Sequence, residues 1–127
     1  MRYLLDTCAL LWLALGDKNL SAKARGIIDD SSGDGFVSVV SLWEISMKAV
    51  TGKLSIALTP MQLSRLAEGN GLSVVELSVA HIDRFNLLPV SHRDAFDRLL
   101  AAIAIEEGLT LLTPDSTFDN LGVQRDW

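Results

Sequence analysis

Cysteine, histidine, proline and tyrosine are all scarce in this chain: its 127 residues include one Cys, two His, three Pro and one Tyr. The single thiol, Cys8, excludes an intramolecular disulfide and is expected in a reducing, cytoplasmic setting. It lies in an apolar stretch and is expected to be buried as a small hydrophobe. With only Cys8, His81 and His92 to offer thiol or imidazole, a four-ligand zinc site has too few ligands. Positive charge is also short. Eleven Lys and Arg face sixteen Asp and Glu, for a net charge of −5 and a pI near 4.8. That balance argues against a general nucleic-acid binder with a basic face. It leaves room for an enzyme whose metals and a few local cations handle phosphates. A long apolar run that would cross a bilayer is missing too. The apolar start after Met1-Arg2 resembles a secretion signal, but Asp6 and Thr7 interrupt it, so it is read as folded structure.

What the chain does have is apolar mass. Hydrophobic residues make up 49%, enough for one domain, 1–127, around one core. The apolar runs alternate in kind. Arg2–Asp6, Phe36–Val40, Leu72–Leu77 and Leu109–Leu112 predict strands, with a weak fifth at Val123–Arg125. Thr7–Leu15, Ser21–Asp30, Leu42–Val50, Pro60–Gly69, Ser78–Leu87 and Asp94 or Ala95 to Glu107 predict helices. Ser21 and Ser78 are placed to cap, Pro60 to open and Gly108 to stop them. Leu54–Leu58 is expected to be a loop or short extended piece, and Asp115–Phe118 a turn or short helix. No tight hairpin joins two strands. The pattern predicts an α/β fold, a three-layer α/β/α sandwich on a parallel sheet of four to five strands.

Carboxylates recur where strands hand over to helices: Asp6, Glu44, Asp97 and Asp115, with Asp94 as a possible addition. Ligands of open parallel sheets bind beyond the carboxyl ends of the strands, where all of these can converge. Each also has a structural alternative. Asp6, Asp94 and Asp115 suit helix caps, Ser41–Glu44 reads as a capping box, Glu44 can pair with Lys48, and Asp97 in a first helical turn suits the helix dipole. Capping alone, however, is indifferent among Ser, Thr, Asn and Asp. Asp94 and Asp97, three apart, are expected to face the same way on their helix. An acid ending a hydrophobic strand, as Asp6 does, is costly to bury without a partner. A hard divalent cation is the simplest partner for several such oxygens.

In order along the chain, YLLDT with Asp6, SLWEIS with Glu44, HRDAFDRLLAAIA with Asp94 and Asp97, and LLTPDSTF with Thr113 and Asp115 resemble the PIN domain, and within it the VapC-type toxin ribonucleases of toxin–antitoxin pairs. The resemblance covers essentially the whole chain. It implies a pocket holding Mg²⁺ or Mn²⁺, metal-dependent cleavage of RNA, a cognate antitoxin and a homodimer. By position, Asp6 and Asp97 resemble the principal metal ligands, and Glu44 and Asp115 the other pocket acids, direct or through water. Thr113 resembles the small polar residue that supports the last acid, and it is also a candidate substrate contact. Arg93 and Arg98 are candidate substrate contacts, with Lys48 and Lys53 as further cations near the motifs; each has an ion-paired or solvated alternative. Trp12 and Trp43 are expected to be core or interface residues, and Met47 to pack. Two other readings fit the size and the alternation: a phosphoacceptor receiver domain, and a non-catalytic regulatory or binding module.

Overall fold

The computed structural model describes residues 1–30, 33–90 and 94–127. Five strands form one sheet in the order β3-β2-β1-β4-β5, every pair parallel: β1 (Tyr3–Leu5), β2 (Gly35–Ser38), β3 (Leu72–Val75), β4 (Thr110–Leu112) and β5 (Arg125–Asp126). The helices are α1 (Thr7–Leu15), α2 (Ala22–Asp30), α3 (Val39–Val50), α4 (Pro60–Gly69), α5 (Val79–Leu87) and α6 (Ala95–Glu107). A short 3-10 helix covers Ser116–Leu121. A receiver domain would place its third strand beside the first, giving the order 2-1-3-4-5. Here β3 is at the far edge, which removes that reading.

Strand alternation sorts the apolar side chains into two cores, one on each face of the sheet. Tyr3, Leu5, Val37, Leu72 and Leu112 pack with Leu10, Leu13, Ala24, Ile28, Leu63 and Ala67, so α1, α2 and α4 cover that face. Leu4 and Leu111 point the other way, against Leu100, Ala101, Ile103 and Ala104 of α6 and Phe118 and Leu121 of the 3-10 helix. The three layers follow from this division. Gly35 has no side chain for a packing reason: a Cβ there would overlap the Tyr3 ring and Leu72.

Most helix ends follow their local signals. Gly108 adopts the left-handed conformation (φ 67°) that stops α6. Thr59 caps α4 and Ser78 caps α5, each in a reciprocal box, with Gln62 and His81 as the returning side chains. One expectation fails. The β-branched run extends the predicted second strand to Val40, but β2 ends at Ser38, whose hydroxyl accepts from Val40 N–H and starts α3 at Val39. Ser41 is therefore not a cap, and Glu44 lies a turn deeper than a capping box requires. The weak fifth strand exists, shifted to Arg125–Asp126, and Lys23 reaches it from α2 through a 2.7 Å contact to Asp126.

Candidate functional site

The connection reverses direction across the sheet between β1 and β4. The chain builds β2 and β3 on one side of β1, then returns to lay β4 and β5 on the other. In open parallel sheets such a switch point, at the carboxyl ends of β1 and β4 here, is where ligands bind. Asp6 and Thr113 are the residues that follow those two strands. The ladder carries on past both, with Asp6 N–H bonding Leu112 O at 3.3 Å, and Thr113 Oγ1 donates to Asp6 Oδ2 at 2.6 Å. Asp6 Oδ1 accepts from Ala9 N–H at 2.8 Å, so the same carboxylate caps α1. Thr113 Oγ1 also accepts from Asp115 N–H. It is fully buried, which makes it a brace for Asp6 and for the Asp115 backbone and removes it as a substrate contact.

Asp6 is only 5% exposed. Burial raises its pKa from 3.8 to about 6, and the charges of Asp97 and Asp115 push the same way. The bonds from Thr113 and Ala9 oppose them. Three acids brought from β1, α6 and the loop after β4 therefore share one electrostatic neighbourhood.

Glu44 is held separately. It is buried on α3, with Oε1 accepting from Thr7 Oγ1 at 2.6 Å and Oε2 from Lys48 Nζ at 2.8 Å. Ser41 Oγ is 3.1 Å from Thr7 Oγ1. The expected i, i+4 pair with Lys48 thus forms, and its hydrogen bond to Glu44 holds the Lys48 ammonium above the usual lysine range. Sequence reading missed Thr7. Its signal, a threonine directly after the strand-ending acid, has no meaning until α3 is packed on α1.

Asp94 and Asp97 sit in different settings. Asp94 is the N-cap of α6, extended and exposed, and its Oδ1 accepts from the N–H groups of Phe96 and Asp97. Asp97 lies in the first turn and is half-buried. Asp115 is exposed and caps the 3-10 helix by accepting from Thr117 N–H and Oγ1.

Arg98 is not available to substrate. It is buried, its guanidinium donates to the carbonyls of Pro89, Phe85 and Leu88, and it lies over the Phe85 ring. It ties off the end of α5 instead. Arg93 and His92 lie outside the described residues. Cys8, expected to be buried, is exposed: on α1 the neighbouring Thr7, Ala9 and Leu10 take the inward positions. Partial burial, then the Asp6 charge, push its thiol up to about 11. Met47, expected to pack, is also exposed, and Trp43, expected in the core or an interface, lies exposed and edge-on to Phe96, which excludes the core.

Among the described residues no three Asp, Glu, His or Cys side chains close on one point tightly enough to enclose an ion. The acids influence one another electrostatically and do not form a finished cage. Such an open, all-oxygen donor set fits Mg²⁺ or Mn²⁺. Mg²⁺ keeps several waters and is usually held through one or two carboxylates together with substrate phosphates.

Solved structures share this architecture. A VapBC2 complex from Rickettsia felis, bound to a DNA fragment from its promoter, matches with a TM-score of 0.71 at 16% identity, over 99% of this chain and 98% of that one. DNA-bound VapBC from Salmonella typhimurium matches at 0.70 and 18% identity, over 98% and 96%. A toxin–antitoxin complex from Klebsiella pneumoniae matches at 0.60 and 18%, over 90% and 87%. No curated protein sequence matches the chain. The PIN domain profile matches residues 3–124, nearly the full length, and the chain therefore belongs to the PIN domain family.

Proposed function

We propose that this protein is a VapC-type toxin: a Mg²⁺- or Mn²⁺-dependent endoribonuclease that acts in the cytoplasm and is held in check by a cognate antitoxin. The observation that carries the reading is the buried carboxylate of Asp6 at the sheet's switch point, within the electrostatic reach of Asp97 and Asp115. A carboxylate so placed gains most from a cation. Membership of the PIN family and a fold shared with VapBC complexes support the same conclusion.

Asp6 and Asp97 would hold the metal, with Asp115 completing the acidic site directly or through water, while Glu44, whose two oxygens are taken by Thr7 and Lys48, would stand behind it. When bound, the metal lowers the pKa of a coordinated water and offsets charge on the phosphodiester oxygens. The chain's own side chains do the rest. Thr113 fixes Asp6 by its 2.6 Å hydrogen bond. The Asp94 cap sets the first turn of α6, from which Asp97 projects. The proton that leaves the attacking water passes to the acids as a group, Asp115 being the solvent-open member.

A protein partner is supported by an apolar groove of about 400 Å³ lined by Val39, Leu42, Trp43, Pro60 and Met61. Trp43 and Met61 are 54% and 63% exposed there. Contact with an antitoxin, and a homodimer, are part of the same proposal.

Cleavage mapping on total RNA with Mg²⁺, with Mn²⁺ and with EDTA tests the reading. Discrete cuts are expected with either metal, none with EDTA, and none from purified Asp6→Asn or Asp97→Asn. Full activity in either variant, or in EDTA, would overturn it.

A further inference from the structure

We propose that Lys48 is the phosphate-contacting cation of the site, and that buried Glu44, braced by Thr7, is the post that holds it in place. This rests on the nuclease reading and assigns a phosphodiester subsite within it. Ordinary i, i+4 pairs lie on the surface with both partners solvated. This pair is unequal: the Glu44 side chain is 6% exposed and the Lys48 side chain 50%.

Both oxygens of Glu44 are already in use, Oε1 by Thr7 and Oε2 by Lys48. A hydroxyl carries one proton, so Thr7 gives its own to the carboxylate, and Ser41, 3.1 Å away, donates to the Thr7 oxygen. Ser41 is 0% exposed and Thr7 8%, so the support under the lysine is dry and fixed. An ammonium has three N–H groups. One goes to Glu44, and among the described residues the other two meet no protein acceptor.

Lys48 lies close to the acid site: Thr7, which bonds the Glu44 partner of Lys48, directly follows Asp6 in the chain. Glu44 and Asp94 are the carboxylates that act on the lysine, and the neighbouring Cys8 feels Lys48 together with Asp6 and Asp97. Several other cations are engaged elsewhere: Arg98 on the carbonyls ending α5, Lys23 on Asp126, Arg84 on Glu106, Arg125 on Asp119. A phosphodiester approaching a chain of net charge −5 needs a local positive group, and a lysine serves as a point charge for one non-bridging oxygen. Glu44 then acts on the substrate through Lys48, as a positioning residue.

The test measures binding of short, mixed-sequence single-stranded RNA to the Asp97→Asn protein over a range of salt, and cleavage by the otherwise unaltered chain. Losing one phosphate contact flattens the dependence of log K on log salt by about 0.7 for single strands. Lys48→Met is expected to show that loss and to raise KM about tenfold while kcat changes little. Lys48→Arg is expected to restore the slope. Lys48→Met combined with Glu44→Gln, which leaves no unpaired buried carboxylate, is expected to show the same flattened slope. An unchanged slope in Lys48→Met and in the double variant, while the parent chain binds and cuts RNA, overturns this assignment alone. If the parent chain neither binds nor cuts RNA, the nuclease reading fails and this one with it.

Discussion

A carboxylate as enclosed as Asp6, with Asp97 and Asp115 adding like charge, keeps its proton up to about pH 6 in the folded chain, against an ordinary value of 3.8. The folded state therefore holds this proton more tightly than the unfolded state does. Stability from Asp6 is complete below about pH 4 and is lost as pH rises through about 6. Above that, the metal-free protein carries a penalty on the order of 3 kcal/mol. Asp6→Asn removes the ionisation but keeps an acceptor for Ala9 and a polar partner for Thr113. In EDTA it is expected to raise the unfolding free energy by about 1–3 kcal/mol near neutral pH and to add nothing near pH 4, as urea denaturation at the two pH values would show. The same variant loses RNA cleavage under the nuclease reading. A substitution that stabilises while it inactivates marks a residue strained by its function.

Among the elements, α6 separates two aspartates that look equivalent in the sequence. Asp94 is an exposed cap bonded to two backbone N–H groups, while Asp97 is half-buried in the first turn. Asp94→Ala is expected to cost about 1 kcal/mol of stability and to leave RNA cleavage within a few-fold of the parent. Asp97→Asn is expected to abolish cleavage with little change in the melting temperature. Parallel melting and cleavage measurements on the two proteins distinguish a cap from a pocket acid. Helix α3 shows how a local signal misleads. Val37 to Val40 is a strand-like run apart from Ser38, and the Ser38 hydroxyl on Val40 N–H caps a helix that starts three residues early. β-branched valines favour strands in general but do not forbid a helical first turn. That shift moves Glu44 out of the expected capping box and into the contact with Thr7.

At the scale of the whole molecule, the sheet order is what brings distant residues together. β1 is central, with β2 on one side and β4 on the other, so the switch point falls beside Asp6. Close approach of β2 to its neighbours depends on Gly35, where the Tyr3 ring and Leu72 fill the space a side chain would need. Gly35→Ala is expected to destabilise the protein by about 1–3 kcal/mol, measurable by thermal or denaturant unfolding. An unchanged midpoint would mean that the Tyr3 ring yields easily. The alternation of strands and helices was legible along the chain because each apolar run carries its own periodicity and each helix end its own cap. The order of the strands was not, since parallel pairing joins segments with no neighbour relation in sequence.

Sequence alone determined the α/β alternation, most helix ends and the acids at strand-to-helix junctions. All of these depend on residues a few positions apart, within reach of one turn's hydrogen bonds. Tertiary structure decided what those acids touch. Thr113 bonds Asp6 across 107 residues and Thr7 bonds Glu44 across 37. Arg98 turned from a candidate substrate contact into a tie on α5, and Cys8 from a core residue into an exposed one at the acidic site. A side chain's chemistry is fixed by its type, but its partners depend on which strands and helices pack beside it, and only the assembled sheet settles that.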